Sequence, residues 1–418
     1  MAPLVDRRGA AVGIDDLTVY GSTLSVAFDA IAAARDRAPH ELRATGFDCR
    51  TVTPPFEDAV TLAVNASRPL VDDAGRDAFG LLLVATESGV DYGKPLSAYV
   101  HRYLNLDTHC RNVEVKHACY GGTAALQLAA AWVSGAGPRP RQALVVMTDV
   151  ARGHCGDPAE LTAGSGAVAM TITSEPRVFE MDAESGCASR EVYDVARPTG
   201  TTEWGDAVLS LAAYLDLLEE AWSDYQRVTG GDGGLDQCFD YVLYHTPLLA
   251  LVREAHELLL EAHCPDLPPT AAAESFDRMV RPAFGYARAL GNTYSASVYT
   301  LLAGLVDHTD AASTAARVAI CSYGSGSCAE IYGGRVSVDA RSTTTRHGIA
   351  SHLADRELVD VDLYERLVRE TDVMNTARHY EPPRDLVPGL FERCYDGHAR
   401  LVLRRVENHH RCYEWTTG

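Results

Sequence analysis

Three short segments hold side chains whose types and settings can do chemistry. In Val113-Glu-Val-Lys-His-Ala-Cys-Tyr-Gly-Gly-Thr-Ala-Ala-Leu a short strand runs into Cys119, and two glycines lead into an alanine- and leucine-rich helix. A thiol at a strand-to-helix turn lies in the positive field of the helix N-terminus, which favours the thiolate. Amides freed by Gly121 and Gly122 can also hold an oxyanion. Leu81-Leu-Leu-Val-Ala-Thr-Glu-Ser-Gly-Val carries an apolar strand straight into Glu87, where burial would raise the carboxyl toward a useful base. Tyr241-Val-Leu-Tyr-His-Thr-Pro-Leu places His245 at a strand end, where α/β folds gather functional groups. Taken singly, each is matched by a plain structural reading: a small buried cysteine, a paired carboxylate, a core histidine.

Short apolar runs alternate with longer helical patterns, as in an α/β protein. Strands are expected at Ala11–Tyr20, Gly80–Ala85, Asn112–Lys116, Ala143–Thr148, Ala167–Ile172, Tyr241–Tyr244, Val318–Ser322 and Ala329–Val336. Helices are expected at Phe56–Val71, Leu96–Leu104, Thr123–Val133, Trp204–Val228, Leu248–His263, Ala272–Val280, Thr293–Val306 and Val359–Thr371, with a strand or helix end at Ala399–Arg405. An internal echo suggests duplication: Cys119-Tyr-Gly-Gly-Thr-Ala-Ala-Leu and Asn292-Thr-Tyr-Ser-Ala-Ser-Val-Tyr each open an apolar helix. A Gly-Ser-Gly strand start follows each, at Gly164–Gly166 and at Gly324–Gly326.

The formal charge of −20 argues against nucleic acid as a partner. Only Lys94 and Lys116 are lysines; the other basic residues are arginines, a bias expected of a GC-rich genome. Eleven scattered cysteines without a C-x-x-C pair suit a reducing compartment better than a disulfide framework or a zinc site. No apolar run approaches the ~20 residues of a membrane span, and no apolar stretch follows the charged first residues. A cytoplasmic protein without a membrane partner is the expectation. His409-His-Arg-Cys412 is read as the end of a polar element rather than a metal site, and His256, His263 and Cys264 as one amphipathic helix face. No metal is expected.

The three segments occur together with Asn292 in Gly-Asn-Thr-Tyr-Ser-Ala-Ser and Ser325 in Ser-Tyr-Gly-Ser-Gly. In order and spacing this set resembles the 3-hydroxy-3-methylglutaryl-CoA synthase family over residues 11–340. More narrowly it resembles the subgroup that installs β-branches on polyketides held by acyl carrier proteins. The resemblance implies an α/β thiolase-like five-layered αβαβα fold. One catalytic unit, residues 1–418, would be built from two related halves, 1–175 with the nucleophile and 176–418 with His245, Asn292 and Ser325. It implies that Cys119 becomes acylated, that Glu87 takes a proton from the acyl methyl group, and that His245 protonates the β-ketone oxygen as the carbanion adds. Asn292, Ser325 and the adjoining Tyr323 would bind substrate. The substrate carrier would be a phosphopantetheine thioester on an acyl carrier protein, or CoA, with no tightly bound cofactor. Donor and acceptor carrier proteins are the implied partners, and a homodimer the implied assembly.

Two departures bear on substrate. Where family members commonly have a tyrosine, this chain has Gly153 followed by His154, which would widen the pocket for a donor such as propionyl or let His154 substitute. After His245, Pro247-Leu-Leu-Ala-Leu-Val-Arg-Glu lacks the lysine of CoA-using relatives, which favours a carrier-borne arm. The Gly-Ser-Gly runs would let backbone approach that arm, and Arg35, Arg37 and Arg43 could receive an acidic carrier. The alternatives are the CoA-dependent synthase of mevalonate supply and a non-catalytic partner subunit. The joint presence of Glu87, Cys119 and His245 speaks against the second. Ketoacyl synthase, chalcone synthase-like and thiolase chemistries lack the Glu87 context.

Overall fold

Runs such as Leu81–Ala85, Ala143–Met147 and Ala167–Ile172 are apolar at almost every position, a pattern that demands cover on both faces of a sheet. The computed structural model, which describes residues 1–7, 9–135, 142–151, 155–199, 203–231, 233–263 and 268–417, supplies that cover. Nine strands follow the order Tyr241–Tyr244, Arg317–Gly324, Cys328–Val336, Phe179–Ser189, Gly13–Tyr20, Gly166–Thr173, Gln142–Asp149, Phe79–Ala85, Arg111–Val115. The central junction is thin: Gly13–Tyr20 meets Phe179–Ser189 through Gly13↔Glu180 and Ile14↔Phe179.

Either side of that junction the pattern repeats. Phe79–Ala85 runs parallel to Gln142–Asp149, and Gly166–Thr173 and Gly13–Tyr20 follow antiparallel. Tyr241–Tyr244 runs parallel to Arg317–Gly324, and Cys328–Val336 and Phe179–Ser189 follow antiparallel. The strand that leads into Glu87 and the strand that leads into His245 therefore hold corresponding places.

Helices fill the layers. Ala59–Ala74 lies on one outer face, against Gly166–Thr173, Gly13–Tyr20 and Gln142–Asp149. Ala207–Thr229 covers the other, against Phe179–Ser189 and Cys328–Val336. Gly121–Ser134 packs on Gln142–Asp149 and Phe79–Ala85, and Ser297–His308 packs on Tyr241–Tyr244 and Arg317–Gly324. Ser297–His308 is buried along all but its last residue, which explains why its sequence carries no polar stripe.

All eight expected strands form, Tyr241–Tyr244 with the expected ends. The helix expected from Phe56 begins at Ala59, because Asp58 caps it by accepting the amides of Val60 and Thr61. The helix expected from Trp204 begins at Ala207, capped by Asp206, while Trp204–Gly205 pairs with Val195–Ala196 as a short hairpin. Phe179–Ser189, a central strand, was not expected: Phe-Glu-Met-Asp-Ala-Glu-Ser-Gly-Cys-Ala-Ser lacks β-branched residues. Leu401–Glu407 is a strand, hairpinned with His410–Trp415, so His409-His-Arg-Cys412 spans a turn and the start of a strand. His256 is fully buried between Tyr244 and Ser275, and Cys264 lies outside the described residues.

Candidate active site

The turn after Arg111–Val115 is tight. Ala118 takes a left-handed φ of 40°, and Gly121 N–H bonds back to the carbonyls of His117 and Ala118 before the helix Gly121–Ser134 begins. A non-glycine residue in that region is strained, and the strain sits one residue before the thiol. Cys119 Sγ lies 3.1 Å from Glu87 Oε1, with the thiol donating to the carboxylate. Burial, and then the neighbouring Glu87 charge, push the Cys119 thiol well above its ordinary value. The expectation of a resting thiolate is thereby corrected. A fixed carboxylate at hydrogen-bond distance and the loss of water outweigh the helix-end field, so the sulfur rests as a thiol hydrogen-bonded to Glu87.

Glu87 is placed by Asp149, a fully buried residue at the end of Gln142–Asp149. Asp149 Oδ1 accepts the Glu87 amide at 2.8 Å and the Ser88 hydroxyl at 3.0 Å, and Oδ2 accepts the Ser295 hydroxyl at 2.6 Å. Each such bond to a charged group is worth about 1.5–3 kcal/mol, yet burial outweighs them and holds the Asp149 carboxyl above its ordinary value. Burial drives the Glu87 carboxyl up, Arg197 pulls it down, and Asp149 adds to the rise, leaving it at about 7. A carboxyl held there can act as a base near neutral pH. Arg197 lies against it, with Nη1 3.7 Å from Glu87 Oε2.

His245 follows Tyr244 directly and is 4% exposed. Its amide donates to Cys321 O, its carbonyl accepts the Tyr214 hydroxyl at 2.8 Å, and Nδ1 is 2.6 Å from Ser297 Oγ. The Tyr323 ring stacks on it at 6.5 Å. Burial holds the imidazole down at about 3, so it is neutral at physiological pH. A neutral imidazole whose Nδ1 is bonded to a hydroxyl can present an Nε2–H to a carbonyl oxygen, polarising it as an electrophile.

Two contacts join the halves at this point. Gly324, beside Tyr323, comes so close to the nucleophile turn that a Cβ on it would sit 2.3 Å from Tyr120 N. Gly122 comes so close to the turn before Ser297–His308 that a Cβ would sit 2.4 Å from Ser295 O. The segment 292–297 thus reaches both sides: Ser295 bonds Asp149 under Glu87, and Ser297 bonds His245. Asn292 heads that segment, 9% exposed, with Oδ1 on the Tyr294 amide at 2.9 Å. Ser325 lies in the turn after Arg317–Gly324, half-buried. Tyr323 is 3% exposed and packs on Tyr214 as well as His245.

Other expectations resolve differently. Gly164 and Gly324 make room for the chain's own backbone, since a Cβ on Gly164 would sit 2.1 Å from Leu290 O. Arg35 is tied to Glu160 and Glu365, and Arg37 to Glu41. Arg43 is exposed in the last turn of Pro39–Thr45 and keeps its charge available. Gly153 and His154 lie outside the described residues. Sequence reasoning passed over Asp149, Arg197, Ser295 and Ser297. Asp149 carries the same signal as Glu87, an acid at the end of an apolar strand. Arg197 sits in a Pro/Thr/Gly stretch with no local signal.

With this geometry in view, comparison with known proteins is decisive. Residues 54–176 match the family model for the hydroxymethylglutaryl-coenzyme A synthase N-terminal region and residues 268–414 that for its C-terminal region. The Bacillus subtilis polyketide biosynthesis 3-hydroxy-3-methylglutaryl-ACP synthase PksG is 32% identical, over 97% of this chain and 99% of its own. The chain belongs to the hydroxymethylglutaryl-CoA synthase family. It is therefore an enzyme of C–C bond formation with a thiolase-like fold. The curacin-pathway HMG synthase, solved in complex with its acetyl donor-ACP, superposes with a TM-score of 0.92 at 35% identity, covering 97% of this chain and 100% of that one. The Enterococcus faecalis hydroxymethylglutaryl-CoA synthase is 29% identical over 86% of this chain and 92% of its own. Among the described residues no helix is long and apolar enough to cross a membrane, and no group of three or more His, Cys, Asp or Glu could hold a metal ion.

Proposed function

We propose that the protein adds an acyl carbanion to the β-ketone of a carrier-bound polyketide, giving a β-branch. The carrying observation is the 3.1 Å hydrogen bond from Cys119 Sγ to Glu87 Oε1. As Sγ attacks the donor thioester, Glu87 takes the thiol proton and passes it to the departing pantetheine sulfur. Glu87 is then a carboxylate again and removes a proton from the methyl group of acyl-Cys119. The C–H electron pair becomes the enolate, which adds to the acceptor ketone. His245 hydrogen-bonds the new alkoxide through its ring N–H and relays to it the proton that Glu87 took from the methyl group, so both side chains return to their starting states. Water finally cleaves the thioester to Cys119, its oxygen going to the acid and its proton to the sulfur. Asn292 and Ser325 would hold the acceptor and an acyl oxygen. The low exposure of the Glu87 side chain and of His245 suits an enolate, which water would quench.

The carrier protein, rather than free CoA, is favoured by the likeness to PksG and to the curacin enzyme in complex with donor ACP, and by the missing lysine after His245. We read the chain as one catalytic unit whose halves meet near residue 175; the repeated strand order supports this. A cytoplasmic homodimer is the assembly we propose. It would pair through the free edge of Arg111–Val115, where Val113 is 48% exposed and Leu128 on the adjoining helix 58%.

Intact-protein mass spectrometry after incubation with acetyl- and propionyl-carrier protein tests the reading. It should find one acyl group on Cys119, and its size reports the donor. Turnover with free acetoacetyl-CoA but not with a carrier-bound β-ketoacyl chain would instead assign the CoA-dependent synthase.

A further inference from the structure

Arg197 follows the strand Val195–Ala196, and Glu203 precedes its partner Trp204–Gly205; Trp204 pairs with Ala196, so the two residues flank one rung of this hairpin. Glu203 grips the guanidinium from one side, with Arg197 Nε at 2.9 Å and Nη2 at 2.7 Å from Glu203 Oε2. The Tyr294 ring flanks it, 5.1 Å from Cζ. The remaining nitrogen, Nη1, donates to the main-chain oxygen of Glu87 at 3.2 Å and lies 3.7 Å from Glu87 Oε2. Glu87 thus divides its oxygens: Oε1 faces the nucleophile and Oε2 faces Arg197.

The charges around Glu87 make that contact consequential. Asp149 presses from the strand end Gln142–Asp149 and Glu203 from the hairpin, while the Cys119 thiol relieves the charge by donating from the nucleophile turn; the Tyr294 phenol adjoins from the segment before Ser297–His308. Asp149 is bonded to amides and hydroxyls, all neutral donors. Two buried carboxylates therefore share Arg197, the cation that acts on both. A lysine ammonium is a point charge and could not span Glu203 and the Glu87 main chain as the planar fork does.

We propose that Arg197 is the positioning residue of the base: locked by Glu203, it fixes the Glu87 backbone and supplies the counter-charge that keeps Glu87 an ionised carboxylate, ready to take the proton from acyl-Cys119. The proposal rests on the reading of Glu87 as that base. In the step it serves, the methyl C–H bond breaks, its electron pair enters the enolate, and the proton moves to Glu87. Arg197 gains and loses no bond. Removing the cation leaves Glu87 beside Asp149 alone, which makes the carboxylate harder to form, so the acid limb of enolisation moves to higher pH.

The experiment loads Cys119 of the full-length protein to completion with acetyl-carrier protein at pH 8. The acetyl-enzyme is then transferred to deuterated buffers across the pH range, and deuterium uptake in the acetyl group of the Cys119 peptide is followed by mass spectrometry. Wild type should exchange with an acid limb near neutrality, and Glu87→Gln should not exchange. Arg197→Gln should carry its acid limb about one unit or more upward, a loss of about tenfold below neutrality. Arg197→Lys should keep the limb near its wild-type place and lower the plateau. An Arg197→Gln profile that overlays wild type in both limb and plateau overturns the proposal. If Arg197→Gln does not fold, an undiminished plateau in Arg197→Lys overturns it. Exchange by Glu87→Gln at the wild-type rate would remove the base assignment itself, whatever Arg197 does.

Discussion

Cys119 Sγ donates to Glu87 Oε1 across 3.1 Å, and both groups are perturbed by the same lack of water. In the proposed mechanism the thiol becomes a nucleophile only when the carboxylate is free to receive its proton. Glu87 is held at about 7, so it is ionised above that pH and protonated below it. Acylation of Cys119 should therefore slow about tenfold per pH unit below neutrality. Quenched-flow mass spectrometry of the acyl-enzyme measures this. Glu87→Gln should slow acylation at pH 8 by about 10²-fold or more; a variant that acylates at the wild-type rate would show that the thiol loses its proton elsewhere.

Gly324 touches the nucleophile turn from the second half, and a Cβ there would sit 2.3 Å from Tyr120 N and 2.8 Å from His117 O. Both are backbone atoms, so relief of the clash requires the turn itself to shift. Gly324→Ala should fold, because the clash is at one rim of a large core, but it should displace Cys119 from Glu87. A shift of about 1 Å can cost on the order of 10²-fold in rate. The check is acyl-enzyme formation beside a thermal melt. Normal acylation with an unchanged melting temperature would mean the turn tolerates the contact.

Much of this was open to reading from the residues alone, for a physical reason. Buried strands such as Leu81–Ala85 are continuous apolar runs, and a charged or titratable residue ending such a run stands out, as Glu87 and His245 do. Asp149 ends its run in the same way and was equally visible. The protonation state of Cys119 was not, because it depends on which acid sits 3.1 Å away, and that is set by tertiary packing. Arg197 was hidden for the same reason: a loop residue acquires its meaning from Glu87, 110 positions earlier. Phe179–Ser189 escaped because its neighbours, not its own propensity, make it a strand.

His256 is fully buried, with Tyr244 OH on Nδ1 and Ser275 Oγ on Nε2 at 3.0 Å each, and burial holds it down at about 4. Unfolded, it would take up a proton near 6.5. The sign follows: the stability this neutral imidazole contributes is complete above about pH 6.5 and drains away as pH falls toward 4, at no more than about 1.4 kcal/mol per unit. His256→Gln keeps polar contacts but cannot titrate. Denaturant melts at pH 7 and pH 5 should show a smaller acid loss in His256→Gln than in wild type. Equal losses would place the acid sensitivity in other buried groups.

Ser297 governs how His245 meets the acceptor. Its hydroxyl lies 2.6 Å from Nδ1, and when that hydroxyl donates, the neutral ring carries its proton on Nε2. Ser297→Ala removes this partner and frees the ring in both orientation and tautomer, so part of the population would point a lone pair, rather than an N–H, at the ketone oxygen. Enforcing a wrong tautomer outright costs about 10⁴ in rate, and releasing the choice should cost less, at least about tenfold. The loss must fall on condensation alone, since Cys119 and Glu87 do not touch Ser297. Single-turnover assays separate the two steps: acyl-Cys119 should form at the wild-type rate and then persist when the β-ketoacyl acceptor is added. If acylation and condensation fall together, Ser297 is acting on the packing of the whole turn instead of on the imidazole.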